Sequence, residues 1–238
     1  MTSTQQLKVV TFLFTLSCFY YFDLTLFVAG ILLGWILSGI AVSALYHRKI
    51  SHRAFEYRNK LTEYFCYLLM IMSGQGTPLG WAIIHRTHHA KTDTIEDPQS
   101  PHSVGKFRTL ISWYNIDNVN SKLVIDVLRD KKLMFLHNHY NKVFSVYALI
   151  LFLINPLWVL YFAGVSVTVC AFFLGIVNTW GHSDVNKNSG TYAKNISFLG
   201  LLWGEETHKD HHISPSNSRF HDSDYCYWFI KLVGKSKV

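Results

Sequence analysis

The sequence predicts an all-α membrane protein in which four transmembrane helices form two hairpins beneath a cytosolic helical cap. Two observations predict the membrane part. Half of the 238 residues are hydrophobic, and the mean hydropathy of +0.16 is high for a soluble domain. In addition, two long stretches of the chain carry almost no charge.

The two uncharged stretches predict the hairpins. Residues 9–46 contain one acid, Asp23, and no Lys or Arg, while residues 143–179 contain no charged residue. A bilayer core takes about 20 helical residues per crossing, and each stretch is nearly twice that long. Each stretch should therefore cross twice. We expect one turn near Asp23 and the other near Asn155 and Pro156, since proline breaks a helix.

The charge distribution predicts the orientation. All 22 Lys and Arg residues lie outside the two stretches. Two hairpins leave residues 1–8, 47–142 and 180–238 on one side, and the positive-inside rule makes that side the cytosol. We expect a single domain over residues 1–238, with its cap formed by 47–142 and 180–238.

A third apolar run, Tyr64 to Met72, is too short to span a bilayer. If this run crossed the bilayer, the histidines before and after it would also lie on opposite sides of the membrane. We expect 61–84 to form a helix lying in or dipping into the cytosolic leaflet. The alternative is a buried helix of the cap.

The remaining bulk properties restrict the function. The net charge of +7 permits a nucleic acid, an anionic lipid surface or an acidic partner. The sequence contains no zinc finger and no aromatic RNA-binding motif, so we do not expect nucleic acid. Its four cysteines form no CxxC, so they predict neither a disulfide framework nor a thiolate metal site.

Histidine clusters are the most unusual feature of this sequence. One HxxxxH and two HxxHH motifs all fall in the predicted cap, and chance rarely produces even one HxxHH in a chain of this composition. The clustered residues are His47 and His52, then His85, His88 and His89, and finally His208, His211 and His212.

The spacing within these clusters has a geometric meaning. Positions i, i+3 and i+4 share one face of an α-helix, so each HxxHH can direct three imidazoles at one point. Positions i and i+5 are about 140° apart on an ideal helix. We therefore expect the second span to end between His47 and His52.

Eight imidazoles exceed the needs of one metal ion and predict a dimetal site. Structural zinc usually takes four ligands, often including Cys. Imidazole suits Zn, Cu, Fe and Ni, so ligand type alone does not select the metal. The other histidines, His102, His137, His139 and His221, are expected to be surface or satisfied core residues.

These motifs resemble those of the membrane fatty acid desaturases, close to the stearoyl-CoA and acyl-lipid desaturase group. The likeness extends from about residue 25 to about residue 220. It includes Arg53 after the first box, Asp93 and Glu96-Asp97-Pro98 after the second, and Gly204-Glu205 before the third. One departure is Lys209-Asp210 inside the third box, which we expect to point away from the metals.

The resemblance implies further site residues. In the NxxxH that follows the fourth span, His182 is implied as a ninth ligand and Asn178 as a ligand through a water molecule. Trp81 is implied to line the substrate tunnel, although Trp is also common at membrane interfaces. Carboxylates expected to orient the imidazoles by accepting their second N–H are Asp93, Asp97, Glu205 and Asp210.

The resemblance also implies the activity. It predicts a delta-9-type fatty acyl desaturase with two iron ions as cofactor and O2 as co-substrate. The substrate would be acyl-CoA or an acyl lipid, and the membrane the endoplasmic reticulum or the bacterial inner membrane. The basic cytosolic face could bind an acidic head group or an electron donor such as cytochrome b5 or ferredoxin, or it could reflect the positive-inside rule alone.

Two other functions remain open from the sequence. A diiron hydroxylase or ketolase acting on sterols, carotenoids or alkanes shares histidine boxes, but the acids after the second box favour a desaturase. A metal transporter would need ionisable residues inside its spans, and Asp23, near a turn, is the only charged residue in either stretch.

Overall fold

The structure of the protein is a computed structural model, and it is mostly helical, as the sequence predicts. It describes residues 2–115, 120–184, 190–197 and 200–236. Long helices pack side by side, and the shorter elements gather at the end where the histidines lie.

A helical hairpin opens the chain. Helix α1 covers Ser3–Ser17 and α2 covers Leu24–Leu37. Asp23 caps α2, because its Oδ1 accepts a hydrogen bond from the amide of Leu26 at 2.9 Å. The turn therefore lies where the charge pattern predicts it.

Helix α2 continues without a break into a π-helical segment, Ser38–Ser51. Together they form one helix, Leu24–Ser51, of 28 residues. Most π-helical turns occur singly, often at functional sites. The long π segment here was not expected from the sequence.

Two helices, rather than the one expected, occupy residues 61–84. After the short strand β1 (Phe55–Tyr57), helix α3 covers Lys60–Met72 and helix α4 covers Pro78–Ala90. The prediction of one helix was wrong because Pro78 stands at the first position of α4, a place that suits proline and marks a new start.

Short helices connect α4 to the second hairpin. They are α5 (Pro101–Val104), α6 (Lys106–Leu110), a 3-10 turn at Ser121–Val124 and α7 (Ile125–Arg129). This region belongs to the predicted cap.

The second hairpin also turns where the sequence predicts. Helix α8 covers Lys131–Ile154, and α9 (Pro156–Trp158) begins after Asn155, whose side chain accepts from the amide of Leu157 at 2.9 Å. The chain then runs through a second π-helical segment, Val159–Val165, into α10 (Ser166–Gly181). The continuous helix Pro156–Gly181 is 26 residues long.

The C-terminal part completes the histidine-bearing end. A 3-10 turn at Glu205–Thr207 leads into α11 (His208–Ile213), and α12 covers Tyr225–Val233. Strand β2 (Gly234–Ser236) then pairs antiparallel with β1. This pairing ties the end of the chain to the segment just after the first histidine box.

The helices of the two hairpins approach closely. A Cβ atom added at Gly34 of α2 would lie 2.5 Å from the carbonyl oxygen of Ser166 at the start of α10. Only glycine allows that approach. The contact holds the helices Leu24–Ser51 and Pro156–Gly181 side by side.

Large apolar side chains face outward along the hairpins. By length and composition, two helices, Leu24–Ser51 and Pro156–Gly181, are able to cross a membrane. Helices α1 and α8 contribute further exposed side chains, among them Phe12, Leu16, Leu149 and Leu153. An apolar surface of this extent is typical of contact with lipid or another protein.

We predict that the hydroxyl of Tyr161 fixes the first hairpin turn. It donates to the carbonyl of Tyr21 at 2.6 Å and accepts from the amide of Asp23 at 2.7 Å. Tyr161→Phe should lower the free energy of unfolding by about 1–2 kcal/mol, since it removes both hydrogen bonds of a fully buried tyrosine. Thermal unfolding in detergent measures this. Tyr20→Phe is the control, because Tyr20 is 83% exposed, and an equal loss in both variants would contradict the prediction.

Candidate metal centre

Nine histidines from four parts of the chain meet in one cluster. Their nitrogen atoms form two groups, and within each group the potential ligand atoms all lie within 4.8 Å of one another. One group contains His47, His52, His85, His89 and His211, and the other contains His88, His182, His208 and His212. All three sequence motifs and His182 thus come together.

Within the cluster, the Nε2 atoms point at one another. The distance between the Nε2 atoms of His52 and His85 is 2.8 Å, and that between His47 and His211 is 2.9 Å. In the second group, the Nε2 atoms of His182 and His208 are 2.8 Å apart. Each imidazole therefore presents the same atom to a shared centre.

The π-helical winding places the first box. The amide of His52 donates to the carbonyl of His47 at 3.1 Å, which is the i to i+5 bond of a π-helix. Positions i and i+5 then share a face, and the two ring centroids are 4.9 Å apart. The helix does end at Ser51, between the two histidines as expected. The change in winding, which the sequence did not reveal, is what brings the rings together.

Two α-helices place the other boxes as their spacing predicts. Helix α4 carries His85, His88 and His89, and α11 carries the third box. His182 caps the C-terminus of α10. The preceding Gly181 is needed there, because a Cβ at that position would lie 2.6 Å from the ring of His208.

Three carboxylates accept hydrogen bonds from the Nδ1 atoms of three clustered histidines. The Nδ1 atoms of His88, His182 and His47 lie close to acidic side chains, which accept their N–H protons. The pairs are His88 with Asp97 at 2.8 Å, His182 with Asp93 at 3.1 Å, and His47 with Glu205 at 2.9 Å. The structure thus brings three of the four predicted acids to a histidine.

Asp210 does not reach a histidine. It is exposed and accepts a hydrogen bond from Asn195 at 3.0 Å. The expectation that it would orient an imidazole was wrong, because a position two residues after His208 lies about 200° around the helix. The separate expectation that Asp210 points away from the cluster is confirmed.

Asp93 and Asp97 are themselves held by several donors. Burial alone would raise the pKa of Asp97, but His88 and nearby backbone amides keep it below its usual value. Asp93 adopts a positive φ of 56°, which Asp tolerates better than most residues. It accepts from the amide of Tyr192 at 2.7 Å. These bonds favour the charged carboxylates.

The donor set fits cations. The acids fix protons on Nδ1 of three rings, so their Nε2 lone pairs point into the buried centre. Burial, and then the neighbouring imidazoles, lower the pKa values of His85, His208 and His211 well below the usual value. These rings are neutral at pH 7. Neutral lone pairs converging within about 3 Å are the ligands that a transition metal takes, and two groups provide for two ions.

Two predicted residues lie beside the cluster. Asn178 lines a cavity of about 30 Å³ together with His47, His85 and His208. A space of this size holds about two water molecules. Trp81 lines the same cavity, and its ring centroid lies 5.5 Å from that of His85.

Gln99 was missed by sequence reasoning. Its Oε1 lies 3.3 Å from Nδ1 of His85. Gln99 therefore accepts the Nδ1 proton of His85, as a carboxylate does at His47, His88 and His182. Its position two residues after Asp97 was the available signal. The remaining histidines, including His102 and His221, belong to neither group within the described part of the chain.

Arg48 was also missed, although it follows His47 directly. It is fully buried, and its Nη1 donates to Asp224 at 2.5 Å. Its Nη2 donates to the carbonyl of Trp203 at 3.0 Å and lies 3.7 Å from Oε1 of Glu205. Arg48 thereby holds both the acid that orients His47 and the C-terminal segment.

The C-terminal segment packs on the cluster through Phe220. The guanidinium of Arg48 lies 3.7 Å from the centroid of the Phe220 ring. That ring lies 4.9 Å from the ring of His211 and 5.9 Å from the ring of His47. Arg48 and Phe220 therefore close one side of the first metal group.

Comparison with known proteins identifies the family. The family model described as "Fatty acid desaturase" matches residues 24–224. The chain belongs to the fatty acid desaturase family. The family assignment confirms the resemblance seen in the histidine boxes, and it makes the protein an oxidoreductase of lipid metabolism.

Named relatives of this desaturase cover most of its length. It is 27% identical to the Delta-9 desaturase-like 2 protein of Arabidopsis thaliana, over 86% of this chain and 73% of that protein. It is 26% identical to the sn-2 palmitoyl-lipid 9-desaturase of Nostoc sp. (strain 36), over 85% of this chain and 76% of that protein. It is 29% identical to the Acyl-CoA C20 Delta5-desaturase of Anemone leveillei, over 79% of this chain and 64% of that protein.

We predict that Asp97→Asn weakens metal binding about 10- to 100-fold, because the Nδ1 proton of His88 loses its carboxylate. Asp210→Asn is the matched control, since Asp210 lies away from the cluster. Competition with a chelator measures the affinity of the purified protein. Equal affinities in the two variants would show that the carboxylate has no influence on the site.

We predict that Arg48→Met abolishes metal retention and destabilises the protein by about 3–5 kcal/mol, because it leaves Asp224 buried without its partner. Arg48→Lys should restore part of both, since Lys supplies the charge without the planar fork. Metal content and thermal unfolding are the measurements. The control is Lys49→Met, whose side chain pairs at 2.8 Å with a largely exposed Glu56. Wild-type metal content in Arg48→Met would refute this role.

Proposed function

We propose that this protein is a membrane fatty acyl desaturase of the delta-9 type, which uses two iron ions and O2 to place a double bond in a saturated acyl chain. The observation that carries the proposal is the convergence of nine imidazoles, in two groups, in a member of the desaturase family. The names of the relatives support desaturation over hydroxylation.

The proposed iron ligands are the nine clustered histidines, with Asn178 contributing through a water molecule. The proposed orienting residues are Asp93, Asp97 and Glu205, joined by Gln99. Trp81 is proposed to line the acyl path beside His85. No side chain beyond the metal centre is assigned a catalytic role.

Iron, when bound, supplies the O2 activation that removes one hydrogen from each of two adjacent methylenes, which no side-chain base can do. The overall reaction consumes O2, two electrons and two protons and releases two water molecules. The residues of this chain hold and orient. The carboxylates fix the imidazoles of His47, His88 and His182 by accepting their Nδ1 protons, and the buried position of the cluster keeps bulk water away from the reacting carbons.

For the membrane arrangement, we propose four spans within residues 9–46 and 143–179. Residues 47–142 and 180–238 would form the cytosolic cap of a single domain. The outward apolar side chains of the hairpins and the confinement of Lys and Arg to the other segments support this arrangement. The membrane would be the endoplasmic reticulum or the bacterial inner membrane.

The proposed substrate is an acyl lipid or acyl-CoA, since relatives with both kinds of name are similar to this chain. The proposed electron donor is an acidic protein such as cytochrome b5 or ferredoxin. The net charge of +7 supports docking of an acidic donor on the cap.

Expression in a desaturase-deficient cell, followed by gas chromatography of its fatty acids, tests the function. We expect new monounsaturated chains with the wild-type protein and none with His88→Ala. His139→Ala is the matched control and should retain activity, because His139 lies outside both metal groups. Iron-loaded protein that forms no double bond would contradict the proposal, and a hydroxylated product would favour the hydroxylase alternative.

A further inference from the structure

A second cavity leads from the N-terminal helix to the metal centre. Its volume is about 230 Å³, measured as space open to the centre of a water molecule. It borders His85 and Trp81, which also line the small cavity beside the cluster. The two spaces therefore meet at the same side chains, and a molecule in the larger one lies against the metal centre.

Lys8 of α1 lines the larger cavity and carries an unneutralised charge. Its Nζ donates to the carbonyl oxygen of Ser112. Within the described residues it makes no ion pair. Desolvation lowers the pKa of Lys8 to about 8, so most of the amine is still charged at neutral pH. A partly buried charge without a counter-ion is costly, and an anionic ligand lowers that cost.

Gln75 is an independent sign that the cavity receives a polar ligand. It also lines the cavity, and it is 4% exposed. Its Nε2 donates to the carbonyls of Ser73 at 2.7 Å and Val167 at 3.2 Å, but its Oε1 has no hydrogen-bond partner among the residues that the structure describes. Buried carbonyl oxygens of this kind are nearly always satisfied. A hydroxyl or N–H group beside an anionic oxygen would satisfy Gln75.

Part of the cavity lining is apolar. Trp81, Ile84 and Leu174 supply carbon surface in the cavity that Lys8 and His85 also line. A ligand that complements both the charged and the apolar lining has an anionic head at Lys8 and a hydrocarbon chain running past Trp81 towards His85. This is the orientation that an acyl substrate needs.

We propose that Lys8 binds the anionic oxygen of the acyl substrate's head group, and that Gln75 accepts a hydrogen bond from a hydroxyl of that head when the head carries one. The chemistry is that of a carboxylate or a phosphate. The inference rests on the proposed function and adds a preference for acidic over neutral head groups. Lys8 is a specificity residue, since it fixes where the head lies and thus which methylenes reach the histidines.

Direct binding to the purified full-length protein in detergent tests the proposal without turnover. Four ligands with the same sixteen-carbon chain differ only in the head: palmitate, 1-palmitoyl lysophosphatidate, monopalmitoylglycerol and methyl palmitate. We expect Lys8→Met to weaken at least one of the two anions about 10-fold or more and to leave both neutral ligands unchanged. Lys8→Arg should retain most of the affinity. Lys122→Met is the control, because Lys122 is exposed and outside the cavity.

The outcomes separate the sources of the anion. Dependence of palmitate alone on Lys8 assigns a carboxylate head, and dependence of lysophosphatidate alone assigns a phosphate head. Anions that bind Lys8→Met as tightly as wild type, or that do not bind wild type, overturn the proposal. If Lys8 controls anion binding while expressing cells form no double bond, the head-group site stands and the desaturase function fails. If double bonds form but anion binding does not depend on Lys8, the desaturase function stands and the head-group site fails.

Discussion

The convergence of imidazole lone pairs is the constraint on which the rest of the structure depends. Nine imidazole rings place their Nε2 atoms around a buried centre, with distances between these atoms as short as 2.8 Å. Lone pairs in that arrangement repel each other until cations occupy the space between them. The cluster is therefore a structure that metal binding completes, and metal and folding energies should be linked.

The surrounding architecture serves this convergence. The rings come from segments as distant as His47 and His212, so several helices must end at one place. Three features restrict the orientation of the rings. They are the close packing of the two hairpins at Gly34, the π-helical winding before His52 and the buried guanidinium of Arg48. The cavity that reaches His85 then gives a hydrocarbon chain access to the same point.

Sequence reasoning identified most of the clustered residues but not the contacts that position them. The HxxHH spacing predicts shared helix faces. The charge-poor stretches, each interrupted near its middle by Asp23 or by Asn155 and Pro156, predict the turns, because both patterns are local properties. The π segment, the Arg48 contacts and the role of Gln99 depend on packing between distant parts of the chain, which no local pattern contains. Asp210 failed for a local reason, since its own helix turns it outward.

The metal content of the purified wild-type protein tests the central claim most directly. Protein loaded anaerobically with ferrous iron, desalted and analysed by mass spectrometry for metals should retain two iron ions per chain, with X-ray absorption reporting mainly nitrogen ligands. A protein that retains one ion or none, and still forms double bonds in cells, would contradict the account.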